Sequence, residues 1–282
     1  MQQHIQRGLG VVLASSLLAI SLPAQASAFN IQLNFGGGLT TSEEAVFSSA
    51  EHFWESVITG YKGGSGISSI AISASGTTID GVGGVLGQAG PDYYFNQGGY
   101  AYTYSGSMQF DSADLASMEN NGTLYGVILH EMAHVLGFGT LWSLNSVYSN
   151  GSGKYTGSAA LAEYKLEFAP SATYVPVELG GSSGTADSHW NEADGGSGNT
   201  GIVGILPGSP SYGKDFKDEL MTGWIGAAPF VSLTTIASFA DLGYTVNLAA
   251  DMVVPEPGTL ALLSLSLSGV LAGLRRKRLA LN

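Results

Sequence analysis

The chain has no cysteine among its 282 residues. Disulfide staples and thiolate metal sites are therefore both excluded. Arginine is nearly as scarce: Arg7 lies near the start, Arg275, Arg276 and Arg278 near the end, and residues 29–254 hold none. Over that body five lysines face 21 carboxylates, a formal charge of −16. Such a body, without a basic patch, argues against nucleic acid and anionic lipid as partners. Internal repeats are also missing, including the glycine-aspartate nonapeptides of calcium β-helices, so calcium in the acidic loops is open but unsupported. A body of about 226 residues is nevertheless long enough to bury a core without staples.

The two ends differ from this body. "MQQHIQRGLGVVLASSLLAISLPAQASA" places Arg7 before an apolar run from Leu9 to Leu22, and small residues up to Ala26 and Ala28 follow. Residues 1–28 read as a secretory signal peptide, the run being short for a membrane anchor. At the other end, 253–282 carries Pro255-Glu256-Pro257, an apolar segment from about Gly258 to Leu274, and then Arg275, Arg276, Lys277 and Arg278. That segment is at the lower length limit for a spanning helix, and the basic cluster stays cytoplasmic, so a transient inner-membrane anchor is expected. In the order of its parts the tail resembles the PEP-CTERM sorting signal. The resemblance implies an exosortase-type processing enzyme as partner and export through the inner membrane of a Gram-negative bacterium to the cell surface or medium.

Within the body, "TTSEEAVFSSAEHFWESVITG" predicts an amphipathic helix capped by Thr41 or Ser42 and stopped at Gly60. "SGISSIAISASG" reads as a strand. In "GYAYTYSGSMQF", Tyr100, Tyr102, Tyr104, Met108 and Phe110 share one parity, as a strand with one covered face requires. "DSADLASMENNG" predicts a short helix capped by Asp111 or Ser112. Thr123 opens the helix "TLYGVILHEMAHVL", with Gly137 as its stop. After Trp142 the pattern loosens, and nine glycines between Gly180 and Gly208 mark mainly loop. A last helix, "SLTTIASFADLGYTVN", is capped by Ser232. Strands and helices lie in blocks, which favours an α+β domain.

The chemistry is concentrated in "HEMAHVLGFGTLW". Residues four apart share a helix face, so His130 and His134 can present two imidazoles to one ion. Glu131 lies beside them, placed to act as a base without being a ligand. Imidazoles suit Zn2+, and three protein ligands leave the open position that hydrolysis needs. Gly137 allows a sharp turn after the second ligand. "HEMAHVLG" thus resembles the opening of the metzincin signature, whose third histidine comes three residues after the glycine. Here that place is taken by Thr140. Of the five histidines, His4 leaves with the signal and His52 lies among Glu51 and Glu55 on a solvated helix face. His189 remains as the third-ligand candidate, with Glu192, Asp187 and Asp194 as alternative oxygen ligands.

"HEMAHVLGFGTLW", "SHWNE", "DELMTGW" and "IASFADLGYTVN", in this order and with an insertion of some fifty residues before the His-Trp pair, resemble the leishmanolysin family of metzincins. The resemblance implies one catalytic Zn2+ held by His130, His134 and His189, Glu131 as the catalytic base, and Met221 as the methionine of the turn beneath the metal. It also implies a metzincin-type zincin domain over 29–252. A twisted sheet and the ligand helix would occupy an N-terminal subdomain of about 29–137, and a smaller, loop-rich C-terminal subdomain would cover about 138–250. A polypeptide substrate would lie between them, with the edge of the strand from Tyr100 to Phe110 as a place for main-chain pairing. The chain departs from eukaryotic members in lacking cysteine. The expected activity is that of a secreted or surface zinc endopeptidase. The alternatives are a surface-displayed binding or matrix protein, and a zinc hydrolase of non-peptide amides.

Overall fold

The computed structural model describes residues 29–62, 69–182, 184–192, 199–224, 226 and 228–249. The expected signal peptide, the tail over 253–282 and Asp194 lie outside the described residues.

Strand β1 (Asn30–Phe35) leads into helix α1 (Thr41–Val57). The cap of α1 is Thr40, one residue earlier than expected. Its side chain accepts from the Glu43 N–H at 3.2 Å, and the Glu43 carboxylate accepts from the Thr40 N–H at 2.6 Å. This reciprocal capping box satisfies two donors that the first turn would otherwise leave unpaired. α1 ends at Val57 rather than running to Gly60, because the chain leaves at once as strand β2 (Ile58–Tyr61).

Strands β3 (Ser69–Thr77), β4 (Gly87–Gln97) and β5 (Tyr100–Asp111) complete the main sheet, in the order β1-β3-β5-β4. β1, β3 and β5 run parallel, and β4 is antiparallel to β5. The expectation that the strand from Tyr100 to Phe110 offers an edge is therefore corrected: β5 is paired on both sides and β4 is the edge strand. Its single parity is corrected as well. The β4–β5 pairing is irregular around Tyr93, where Tyr93 opposes Ser105 but Tyr94 opposes Thr103, and Tyr104 is the extra residue. Tyr104 consequently points to solvent, and Thr103 turns inward and donates to the Val135 carbonyl at 2.6 Å.

Helix α2 (Leu115–Asn121) follows without a side-chain cap. Asp111, an expected cap, instead accepts from the backbone N–H groups of Ile79, Asp80, Gly81 and Ala113. It thereby pins the β3–β4 loop to the end of β5. Helix α3 (Leu124–Val135) begins after Thr123 and is buried over all twelve residues, but Thr123, the expected cap, makes no side-chain capping bond to the helix and donates its hydroxyl to Asn121 Oδ1 at 2.7 Å instead. α1 and α3 pack on each other and against the sheet, α1 on β1 and α3 on β4 and β5.

The remaining elements are β6 (Lys154–Tyr155), α4 (Ser158–Glu167), β7 (Val175–Pro176), a 3-10 turn (Phe216–Asp218), α5 (Leu233–Asp241) and β8 (Tyr244–Val246). Ser232 caps α5 as expected, accepting from the Thr235 N–H at 3.0 Å. α4 and α5 pack together, and the Asp241 carboxylate at the end of α5 accepts from the Ala159 and Ala160 N–H groups at the start of α4. β8 returns to pair antiparallel with β2, so the end of the described chain is tied to the segment after α1. A single cluster of buried apolar residues runs from the sheet through α3 to α5. No described helix is long and apolar enough to cross a membrane.

Candidate metal centre

The spacing of His130 and His134 brings their Nε2 atoms to 3.0 Å from each other, one helical turn apart on α3. The end of this helix is unusually well tied. The His134 carbonyl accepts from Thr140 Oγ1 at 2.8 Å, the Val135 carbonyl from Thr103, and the Leu136 carbonyl from the Tyr244 hydroxyl at 3.0 Å. These are carbonyls that a helix leaves without an intrahelical partner. Thr140, standing where a third histidine was sought, serves as part of this C-terminal cap. Gly137 turns the chain at φ +112°, as expected of the stop residue.

The third imidazole comes from His189. Its Nε2 lies 3.1 Å from that of His130 and 3.0 Å from that of His134. Gly139 makes this approach possible. Its φ is +72°, and a Cβ there would stand 2.4 Å from the Ser188 carbonyl oxygen, immediately before the ligand. Trp190 does not stack on the histidine. It lies fully buried against Trp142, Phe138 and Tyr155, and donates from Nε1 to Thr235 Oγ1 at 2.8 Å. The tryptophan thus anchors the backbone of the ligand rather than its ring.

Each Nδ1 of the three histidines faces a backbone carbonyl: Leu220 at 2.7 Å for His130, Phe138 at 2.9 Å for His134 and Thr185 at 2.9 Å for His189. A carbonyl only accepts, so each Nδ1 carries the proton and each Nε2 presents a lone pair. Burial holds all three rings neutral, His130 down to about 4, His189 to about 3, and His134 well below its ordinary value. Three neutral lone pairs therefore converge with no proton between them. A cation suits that arrangement. The triangle is also the right size, since nitrogen ligands about 2.0–2.1 Å from a tetrahedral ion stand roughly 3.3 Å apart. The buried group His130, His134 and His189 can hold a metal ion.

Glu131 follows His130 on α3 and is buried, with its Cγ 3.2 Å from where a Cβ on Gly87 would stand. Edge strand β4 thus begins over this carboxylate. Burial pushes its pKa up to about 8, and no hydrogen bond to protein compensates among the described residues. A cation on the neighbouring histidines would pull it back down.

Met221 is fully buried, and its turn reaches the centre through the Leu220 carbonyl on His130. The turn is itself clamped by Glu219, which sequence reasoning did not single out. The Glu219 carboxylate accepts from the Met221 N–H at 2.6 Å, the Ser232 N–H at 3.0 Å, Ser232 Oγ at 2.9 Å and Thr235 Oγ1 at 2.6 Å. Since Thr235 also holds Trp190, one buried network joins the turn, the His189 segment and the start of α5. The only sequence signal for it was the carboxylate two residues before the methionine.

Of the alternative ligands, Asp187 and Glu192 have other partners. Asp187 accepts from the Tyr148 hydroxyl and the Gly151 N–H, and Glu192 accepts from the Gly223 N–H. His52 has a largely exposed side chain, with Glu55 at 3.9 Å, as expected of a solvated helix residue.

Residues 253–277 match the PEP-CTERM protein-sorting motif. The chain is therefore a protein addressed to the cell envelope or surface of a Gram-negative bacterium and handled there by an exosortase-type enzyme. No curated protein matches the chain.

Proposed function

We propose that the body is an exported zinc endopeptidase of metzincin type, related to leishmanolysins. The observation that carries this reading is the convergence of three neutral Nε2 lone pairs beside a buried glutamate that has no hydrogen-bonding partner among the described residues. Three imidazoles with space for a fourth ligand are the donor set of catalytic zinc sites, where the ion lowers the pKa of water and polarises a carbonyl. Leu220, Phe138 and Thr185 hold the three rings in the tautomer that binds it. Glu131 accepts the proton of the attacking water and delivers it to the leaving amine nitrogen.

Strand β4, whose first residue, Gly87, lies against Glu131 and which is an edge strand among the described residues, supports a polypeptide rather than a small amide as substrate. An extended peptide adding to this edge gains main-chain hydrogen bonds with few demands on its side chains. After export the tail is cut near Pro255-Glu256-Pro257 and the domain is released to the surface or medium. Mass spectrometry that finds "LRRKR" in the mature protein would show the tail to be a plain anchor.

Activity is tested with casein and a fluorogenic peptide panel, with and without chelator. Cleavage lost on chelation and restored by zinc is expected. Zinc-loaded protein that cleaves no peptide would favour a surface binding protein, and cleavage of non-peptide amides alone would favour the other hydrolase reading.

A further inference from the structure

A closed ring of four hydrogen bonds lies behind the histidine centre. Glu219 Oε2 accepts from the Met221 N–H at 2.6 Å, and the Met221 carbonyl accepts from the Trp190 N–H at 2.9 Å. The Trp190 indole then donates to Thr235 Oγ1 at 2.8 Å, and Thr235 Oγ1 donates to Glu219 Oε1 at 2.6 Å. All four residues are buried. At such positions a bond that opens leaves its donor or acceptor desolvated, so the ring resists opening.

Two of the three histidines are attached to this ring. Leu220 lies between Glu219 and Met221, and its carbonyl accepts from His130 Nδ1 at 2.7 Å. His189 immediately precedes Trp190, whose backbone pairs with the methionine turn at Met221 and Thr222. Groups that hydrogen-bond and orient metal-ligating histidines set the affinity of the site. Within the ring the Thr235 hydroxyl is the joint, since it accepts from one segment and donates to the other. We infer that Thr235 is a positioning residue for the metal: its hydroxyl closes the ring that fixes the segment behind His130 against the segment carrying His189. The inference rests on the three histidines holding a metal, as proposed above, and not on peptide cleavage.

Helix α5 also supplies a matched control. Thr234 is buried like its neighbour, and its hydroxyl donates to Glu167 Oε2 at 2.8 Å. The Glu167 carboxylate holds the start of α5 and Ser211, outside the ring. Valine at either position keeps the β-branched shape and removes one hydroxyl bonded to a buried carboxylate, so the two changes should lower stability comparably. The Thr235 change alone opens the ring. Ser232, which donates to Glu219 from both its N–H and its hydroxyl, keeps that carboxylate in place when Thr235 is changed.

The test compares Thr235→Val with Thr234→Val in the exported protein, stripped of metal and reloaded with zinc or with cobalt(II), whose visible spectrum reports ligand geometry. Thr235→Val should bind zinc about 10-fold or more weakly in chelator competition and show an altered cobalt spectrum. Thr234→Val should keep the spectrum and zinc affinity of the unsubstituted protein despite a similar fall in melting temperature, and Thr235→Ser, which restores the hydroxyl, should recover both. Thr235→Val with unchanged affinity and spectrum, or Thr234→Val with losses as large, would overturn the inference. Should Thr235→Val not fold, Trp190→Phe, which removes the indole donor from the same ring, is measured in its place with the same expectation. Unsubstituted protein that takes up neither metal would instead remove the metal centre itself, and this inference with it.

Discussion

Replacing Gly139 by alanine should move the third ligand without touching any ligand. Two costs arise at this position. The backbone φ of +72° disfavours any residue with a Cβ by roughly 1–2 kcal/mol. The Cβ would also stand 2.4 Å from the Ser188 oxygen and 2.9 Å from the Ser188 Cα, where contacts below 3.0 Å are essentially never seen. Ser188 must therefore retreat by about 0.6 Å, and His189, the next residue, goes with it. A misplacement on the order of 1 Å at a reacting centre can lower turnover about 100-fold. Gly99→Ala is the control, because Gly99 has φ +87° but open space around its Cβ position, so it carries the strain without the collision. Zinc affinity measured by chelator competition, together with peptide turnover, should fall sharply in Gly139→Ala and stay near normal in Gly99→Ala. Both proteins should retain a folded circular dichroism spectrum. A Gly139→Ala protein with the unsubstituted protein's zinc affinity and turnover would refute the idea that this glycine admits the His189 segment.

Three further outcomes are expected. His189→Ala should lose zinc by metal analysis and all cleavage, whereas His52→Ala should keep both. Thr140→Ala should also keep zinc but lower stability to urea by about 0.5–1.5 kcal/mol, the worth of one hydrogen bond on the His134 carbonyl. Asp111, held below the usual carboxylate range by the Ala113 N–H and by those of Gly81, Asp80 and Ile79, contributes stability above its unfolded pKa, and that contribution is lost as pH falls through the lower folded value. Unfolding curves followed below about pH 4 should therefore fall less steeply for Asp111→Asn than for the unsubstituted protein.

Local signals in the sequence were dependable where they were dense. α1 and α5 announce themselves by caps and apolar spacing, α3 by apolar spacing without a side-chain cap, and Gly137 stops its helix as read. α4 escaped because its buried positions, Ala160, Tyr164 and Glu167, form a narrow stripe that includes a carboxylate, while Leu166 faces solvent. Glu167 is buried because it accepts from Ser211, the Leu233 and Thr234 N–H groups and the Thr234 hydroxyl, partners far away in the chain. β4 escaped because "GQAGPDYYFNQ" is an edge strand with a proline and no alternation. The parity of β5 misled at Tyr104 because a bulge depends on the partner strand. The histidines themselves could be assembled by elimination, since so few were present. Glu219 and Gly139 could not, because their roles exist only once the loop after Trp142 has folded back onto α3.

The central claim is that three histidines hold a zinc ion and that Glu131 handles protons beside it. It is tested most directly by turnover of Glu131→Ala at full metal occupancy, with zinc per chain measured on the same sample. About one zinc per chain and a loss of at least about 100-fold in peptide cleavage are expected, in the range for removal of a general base. Full cleavage by a zinc-loaded Glu131→Ala protein would contradict the account.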